Sequence, residues 1–292
     1  MGLLHAAYLK RAGFDVHLLD HNRARAESIN REKVILPDSV EALDIPCHSL
    51  SNFGPVDLII LMVKAYSTGE AMEHAAPLIG PDTVLLTLQN GLGNLEIMEQ
   101  YQRLDRVLVG TTTSGATLLD FNMVRQEGLG DIQVGAPMPS AAARELAGEV
   151  VELFQRAGLP ARVVDDVMAA IWRKAVINSA INPLTAITAL ENGELLERPQ
   201  LRQLLGDLAL ESARAAEGLG IDVDPEEMPE AVEDICRLTA HNRSSMLQDI
   251  THGRRTEIEQ INGEFVRAGL AGGVETPLNR AMVALVKGLE PV

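Results

Sequence analysis

The sequence predicts an α/β half followed by an all-α half: a doubly wound parallel sheet, with its first strand missing from this chain, and then an all-helical domain. Three observations predict it. Short β-branched or wholly apolar runs alternate with helix-length spacers between residues 15 and 110, an order that builds a parallel sheet. From about Asp165 apolar residues recur at three- and four-residue spacing almost to the end, and strand-like runs stop. The length of 292 residues, at roughly 150 per domain, suits two domains, placed at residues 1–164 and 165–292.

Each element has its own reason. Residues 2–12 read as a helix with Leu3, Leu4, Ala7 and Tyr8 on one side, and Gly13 stands where a left-handed cap would stop it. Residues 15–20 (DVHLLD) form a short strand ending on an acid. Residues 56–63 (VDLIILMV) are nearly all apolar, as a strand buried on both faces should be. Residues 83–88 (TVLLTL) and 106–110 (RVLVG) repeat that signature. Residues 123–126 and 131–134, divided by Gly128-Leu129-Gly130, read as a closing antiparallel hairpin. Further on, residues 198–218 and 241–268 are long helical patterns, separated by the polar, Pro-containing stretch 222–229. Ligands of doubly wound sheets sit at the carboxyl ends of the strands, so a nucleotide site in the first half and a substrate site shared with the second are expected.

Composition removes several classes. With 41 acidic against 25 basic side chains, a net charge of −16, and only one Trp, three Tyr and five Phe, the chain lacks the basic surface and stacking platforms of nucleic-acid binding. Cys47 and Cys236 are too few for a disulfide framework, which points to a reducing, cytoplasmic setting. The longest apolar run, residues 58–63, is too short to cross a membrane. His5, Lys10 and Arg11 interrupt any apolar core of a signal peptide. No H-E-x-x-H metal spacing and no G-x-S-x-G elbow occurs.

The amino end is unusual. A dinucleotide-binding unit opens with a strand, then G-x-G-x-x-G, then a helix. This chain opens at the helix, with Gly2 in the place of the third glycine. Gly91-Leu92-Gly93 and Gly128-Leu129-Gly130 do not complete the fingerprint elsewhere. The expectation is a coding start upstream of Met1; the alternative is a short form with a defective cofactor site.

The chemistry concentrates in two segments. In the first, Lys174, Asn178 and Asn182 are spaced by four, so on a helix they form one stripe drifting by about 40° per step. Pro183 is expected to end or kink that helix. One ammonium and two carboxamides among Ala, Val and Ile could grip a small carboxylate or ketone; the bland alternative is a solvated polar stripe. In the second segment, Ser245 and Glu257 are twelve residues apart, about 120° apart on a straight helix. They face one site only if the helix bends or breaks, for which Gly253 is the natural place.

With these residues in view the chain resembles the ketopantoate reductase (2-dehydropantoate 2-reductase) family over essentially its whole length. The resemblance rests on Val63-Lys64-Ala65-Tyr66, Gln89-Asn90-Gly91-Leu92-Gly93, Gly110-Thr111-Thr112-Thr113, the run 172–186, Asn192-Gly193-Glu194-Leu195 and the run 244–262. It implies a Rossmann-like first domain and reduction of ketopantoate to pantoate by NADPH. It also implies roles: Lys174 as proton donor; Glu257 as the acid paired with it and touching cofactor; Asn178, Asn182, Asn192 and Ser245 as substrate-binding. Asn90 would stand at the nicotinamide end, touching cofactor and substrate. Gly2, Asp20, Lys64 and Ala116 would contact the cofactor. Asp20 departs from the pattern, because an acid at that strand end accepts a ribose hydroxyl and repels a 2′-phosphate. It leans towards NADH, while Arg23 and Lys64 could still reach a phosphate. NADP is expected, with NAD possible. The partner is then a small 2-oxo acid, with no nucleic acid and no membrane, and a homodimer is plausible. Reduction of another 2-oxo acid, or a truncated non-catalytic remnant, are the alternatives.

Overall fold

The computed structural model describes residues 1–37 and 42–291. The chain divides into two compact units. One comprises Met1–Gln89 and Asn94–Val167; the other comprises Asn90–Gly93 and Met168–Val292. The first is α/β and the second is all-helical, the Rossmann-like α/β plus all-α class.

In the first unit, the main sheet has five strands in the order β3 (Leu58–Leu61), β4 (Val84–Thr87), β5 (Val107–Thr112), β8 (Ile132–Gly135) and β9 (Ala161–Val163). β3, β4 and β5 are parallel, with Leu58 opposite Val84 and Leu85 opposite Val107. β8 then runs antiparallel to β5, and β9 parallel to β8. The central strands β4 and β5 are buried at every residue, as their apolar first halves demand, with Thr87, Thr111 and Thr112 buried among them. β3 lies at the sheet edge and is half-buried from Leu58 to Ile60, so burial on both faces does not extend to it. Helix α5 (Ala141–Arg156) is capped by the Ser140 side chain on the Ala143 amide. It packs Ala147, Val150, Val151 and Phe154 onto this sheet.

A second parallel pair, β1 (Leu18–Leu19) and β2 (Cys47–His48), stands as its own two-stranded sheet. The strand expected over residues 15–20 is therefore only two residues long. Helix α1 (Gly2–Arg11) ends as its punctuation predicts, with Gly13 at φ +86°. Its Leu3, Leu4 and Ala7 share a core with Ala26 and Ile29 of α2 (Arg23–Glu32) and with Cys47.

The hairpin expected from residues 123–134 is overturned. β7 (Met123–Gly128) pairs instead with β6 (Gly115–Asp120), in a separate antiparallel ribbon turning at Phe121-Asn122. Asn122 fixes that turn by donating to the Lys33 carbonyl at 2.6 Å. Gly130 is not a hairpin turn but a close crossing: a Cβ there would lie 2.3 Å from the Thr113 carbonyl carbon.

The helical unit contains most of α6 (Val167–Thr188), then α7 (Pro199–Glu217), α8 (Met228–Leu238), α9 (Ser245–Thr251), α10 (Ile258–Gly272) and α11 (Pro277–Lys287). Its core joins Val176, Ala180 and Leu184 of α6 to Leu205, Leu208 and Ala209 of α7 and Phe265 of α10. Two expectations meet different outcomes. The pattern over 241–268 does break, at Gly253 with φ +61°. Helix α6 runs through Pro183 to Thr188, so of the two outcomes expected at the proline, an end and a kink, the end does not occur. A helical proline removes one hydrogen bond and crowds the carbonyl four residues back, here that of Ser179. The Asn262 side-chain amide donates to that carbonyl at 2.8 Å, so the helix continues without an orphaned acceptor.

Candidate active site

The polar stripe lies on α6. Lys174 and Asn178 are half-buried, and Asn182 is buried. Desolvation lowers the Lys174 ammonium from its ordinary value to about 8, and the nearby charge of Glu257 acts in the opposite direction. A solvated surface lysine would not feel that desolvation, so the bland reading of the stripe loses its footing.

Glu257 reaches this neighbourhood because the chain breaks before it. Residues 252–257 link α9 to α10, and Glu257, only 6% exposed, occupies the cap position of α10. The preceding Thr256 is anchored by two hydrogen bonds to Glu290, from its amide at 2.8 Å and its hydroxyl at 2.6 Å. Burial alone would raise the Glu290 carboxyl, but those bonds and Lys287 outweigh it and hold the group below its ordinary range.

Ser245 opens α9 and is exposed. The neighbouring Ser244 does the capping, accepting from the Leu247 amide at 3.0 Å and from the Thr185 hydroxyl at 2.7 Å. That second bond ties α6, just past Asn182, to the start of α9. Asn192 receives similar support: its amide donates to the Asn242 carbonyl and its Nδ2 to Thr239 Oγ1. Its Oδ1 is buried without a partner among the described residues, an acceptor suited to a ligand hydroxyl.

Asn90 belongs to this unit by way of a short loop. Gly91 and Gly93 both sit at φ +82°. The amide of Leu92 donates to the Gln260 carbonyl at 2.9 Å, while the Leu92 side chain enters the helical core. A Cβ on Gly91 would lie 2.7 Å from that same carbonyl. This Gly-x-Gly run is thus a docking loop on α10. The unit therefore stitches together the segments bearing Asn90, Lys174, Asn178, Asn182, Asn192, Ser245 and Glu257.

Gly2, Asp20, Lys64 and Ala116 lie in the other unit. The amino end of α1 carries no side-chain cap. Burial first, then the charges of Lys64 and Arg25, lower the Met1 ammonium, so two cationic side chains stand near that end. An uncapped helix N-terminus with cations beside it is a donor set that fits a dinucleotide phosphate. Gly2 itself leaves room, since a Cβ there would make ordinary contact with Met62 at 3.7 Å. Ala116 lies on β6, packed against the core of α1 and α2. Asp20 is engaged on both oxygens, by the Asn22 amide at 2.9 Å and by Arg25 Nη1 at 2.7 Å. Arg25 was not among the residues singled out from the sequence; an arginine five positions beyond the acid was the available signal. Arg23 pairs instead with Glu27. Among the described residues no cluster of three His, Cys, Asp or Glu side chains could hold a metal ion, and no helix is long and apolar enough to cross a membrane. Burial pushes the Cys47 thiol to about 11 and the Cys236 thiol to about 12, which suits packed side chains and not nucleophiles.

Known proteins agree with this architecture. The family model described as ketopantoate reductase PanE/ApbA matches residues 1–138, and its C-terminal counterpart matches residues 166–290. A 2-dehydropantoate 2-reductase of Archaeoglobus fulgidus is 35% identical over 291 residues, covering 99% of this chain and 95% of the relative. Among solved structures, D-mandelate dehydrogenase with NADH and anilino(oxo)acetate superposes with a TM-score of 0.92 at 27% identity, covering 99% of this chain and 95% of that one. The 2-dehydropantoate 2-reductase of Geobacter metallireducens gives 0.86 at 28% identity, with 98% and 96% coverage. With both halves matched and the relatives spanned almost end to end, the chain belongs to the ketopantoate reductase family.

Proposed function

We infer that this protein reduces 2-dehydropantoate to (R)-pantoate with NADPH, the step that supplies pantoate for pantothenate and coenzyme A. One observation carries the reading: in a chain of this family, a lysine tuned to about 8 lies near a buried carboxylate, on a helix with two carboxamides in register. NADPH, when bound, supplies a hydride to the C2 carbonyl carbon. Lys174 Nζ delivers the proton to the carbonyl oxygen as charge develops there, and Glu257 opposes the loss of that proton beforehand. Asn178, Asn182 and Ser245 orient the carboxylate and hydroxyl of the substrate, and the Asn192 Oδ1 accepts from a hydroxyl. Gly2, Lys64 and Ala116 are read as cofactor contacts, together with Asn90 and Glu257. Asp20, held by Arg25, is read as the ribose contact, which accommodates NADH as well. Action in the cytoplasm fits two buried free thiols, and the acidic charge argues against a nucleic-acid partner. A homodimer is part of the same reading, supported by the exposed Leu238, Leu270 and Leu285 of the helical unit.

A second reading, reduction of a different 2-oxo acid, draws on the likeness to D-mandelate dehydrogenase. Initial rates of NADPH and NADH oxidation with ketopantoate and with 2-oxo-2-phenylacetate separate the two. The expected result is a kcat/KM at least about tenfold higher for ketopantoate, the discrimination a shaped pocket provides. A reversed ratio selects the second reading, and no oxidation with ketopantoate overturns the first.

Two further outcomes follow from the site. Because reduction needs Lys174 protonated and its pKa lies near 8, the reductive rate holds below that pH and falls about tenfold per unit above it. The reverse oxidation needs the neutral amine and rises with pH up to the same point. A flat profile between pH 7 and 10 in both directions removes Lys174 as the acid. Asn178→Ala and Ser245→Ala each raise KM for ketopantoate about tenfold, the cost of one lost hydrogen bond to a charged group, with kcat changed less. Unaltered KM in both variants would move the substrate elsewhere.

A further inference from the structure

Helix α6 carries the catalytic stripe across a weak joint. Lys174 and Asn178 precede Ser179, whereas Asn182 and Pro183 follow it. The bond that would close the helix between Ser179 and residue 183 cannot form, because Pro183 has no N–H. What closes the gap comes from another helix. Asn262 on α10 is fully buried and spends both amide hydrogens there, on the Ser179 carbonyl at 2.8 Å and on Asn279 Oδ1 at 2.9 Å. Asn279 is itself fixed, donating to Glu211 at 2.8 Å and to Ser212 at 3.0 Å. Ser212 in turn shares a 2.8 Å hydrogen bond with the Ser179 hydroxyl. Four helices thus converge on one joint, and every donor named is buried or half-buried. Beyond the joint, Thr185 reaches the Asn182 carbonyl and the Ser244 hydroxyl. The part of the stripe beyond the joint thus has anchors of its own, and the Asn262 bond stands in for the one rung of the α6 ladder that Pro183 leaves open.

We propose that Asn262 is a positioning residue for the reductase site, supplying the hydrogen bond that Pro183 deletes and thereby holding Lys174 and Asn178 in register with Asn182. The same helix α10 starts directly after Glu257 and docks the Asn90 loop through Gln260. A shift of Asn262 is therefore felt on both flanks of the substrate. The proposal rests on the reductase reading for its kinetic consequence, though not for its structural one.

A cycle of four proteins tests it: wild type, Asn262→Ala, Pro183→Ala and the double variant. Alanine at 183 restores the backbone N–H, so it gives the Ser179 carbonyl a partner of its own. In Asn262→Ala, kcat/KM for ketopantoate is expected to fall about 10- to 100-fold, the scale of a small misplacement of reacting groups, with KM raised and the NADPH dissociation constant unchanged. Amide exchange of residues 184–188 should speed by at least about tenfold, as local opening of the joint requires. In the double variant both quantities return to within about threefold of Pro183→Ala alone, within the scatter expected of independent sites. A lower melting temperature with unchanged kcat and KM in Asn262→Ala overturns the proposal. So does a double variant that stays more than about tenfold below Pro183→Ala, a comparison that holds even if Asn262→Ala alone does not fold. If the wild type fails to reduce ketopantoate, the reductase reading is what fails. Amide exchange then decides the joint by itself, and exchange unchanged by Asn262→Ala rules it out.

Discussion

Replacing Lys174 by alanine lowers the rate of ketopantoate reduction by about 10²- to 10⁴-fold, the usual contribution of a positioned general acid. The NADPH dissociation constant stays within about threefold, because a group acting on the transition state contributes little to ground-state binding of the cofactor. The reason for so large an effect is electrostatic. Desolvation brings the ammonium down to about 8 while Glu257 resists the change, leaving a group mostly protonated at neutral pH yet ready to release its proton. The ammonium of an exposed lysine, near its ordinary value, gives up its proton less readily to a forming alkoxide. Steady-state kinetics alongside a fluorescence titration of NADPH check the pair of expectations. A variant with wild-type kcat ends the assignment, and one with both kcat and cofactor affinity abolished points to lost structure instead.

Gly91→Ala has the next largest effect, although residue 91 bears no reactive group. Its φ of +82° costs an L-residue about 1–2 kcal/mol. The new methyl would also lie 2.7 Å from the Gln260 carbonyl, a backbone atom that cannot rotate away. Relief requires the loop to lift, which breaks the bond from the Leu92 amide to that carbonyl and displaces Asn90. A displacement near 1 Å at a reacting site costs about 10²-fold in rate, and that is the fall in kcat/KM expected here. Gly148→Ala in α5 is the control. Its added methyl meets nothing within 4 Å, so helix propensity alone should stabilise the protein by about 0.5–1 kcal/mol. Kinetics and thermal melts of the two variants, measured side by side, make the contrast. Equal behaviour would show that the loop does not depend on its glycines.

The sequence disclosed most where one physical signal dominates. β4 and β5 are visible as largely apolar runs because burial on both faces favours apolar side chains, and Gly13 and Gly253 mark their turns because few residues accept positive φ. The stripe of Lys174, Asn178 and Asn182 is visible because helical period alone aligns it. Reading fails where a distant residue changes the local rule. Pro183 does not stop α6, since Asn262 lies 79 residues further on and only folding brings it to Ser179. The ribbon of β6 and β7 escapes the pattern because residues 115–120 alternate weakly, and Gly128 and Gly130 imitate a hairpin turn while Gly130 serves a close crossing. The role of Gly91 and Gly93 was hidden for a similar reason: they resemble an incomplete phosphate loop, and their true contact is with a helix far along the chain.

Four residues between β4 and α4 (Asn94–Met98) belong to the helical unit although strands and helices of the other unit surround them in the chain. No single cut in the chain therefore separates the two units. A chimera that joins the first half of one relative to the helical half of another must carry Asn90–Gly93 together with the α10 that receives it. Otherwise Leu92 would meet a foreign socket. The pairing of Gln260 with this loop is thus an inheritance constraint spanning some 170 residues, and recombination within the family should preserve it as a single unit.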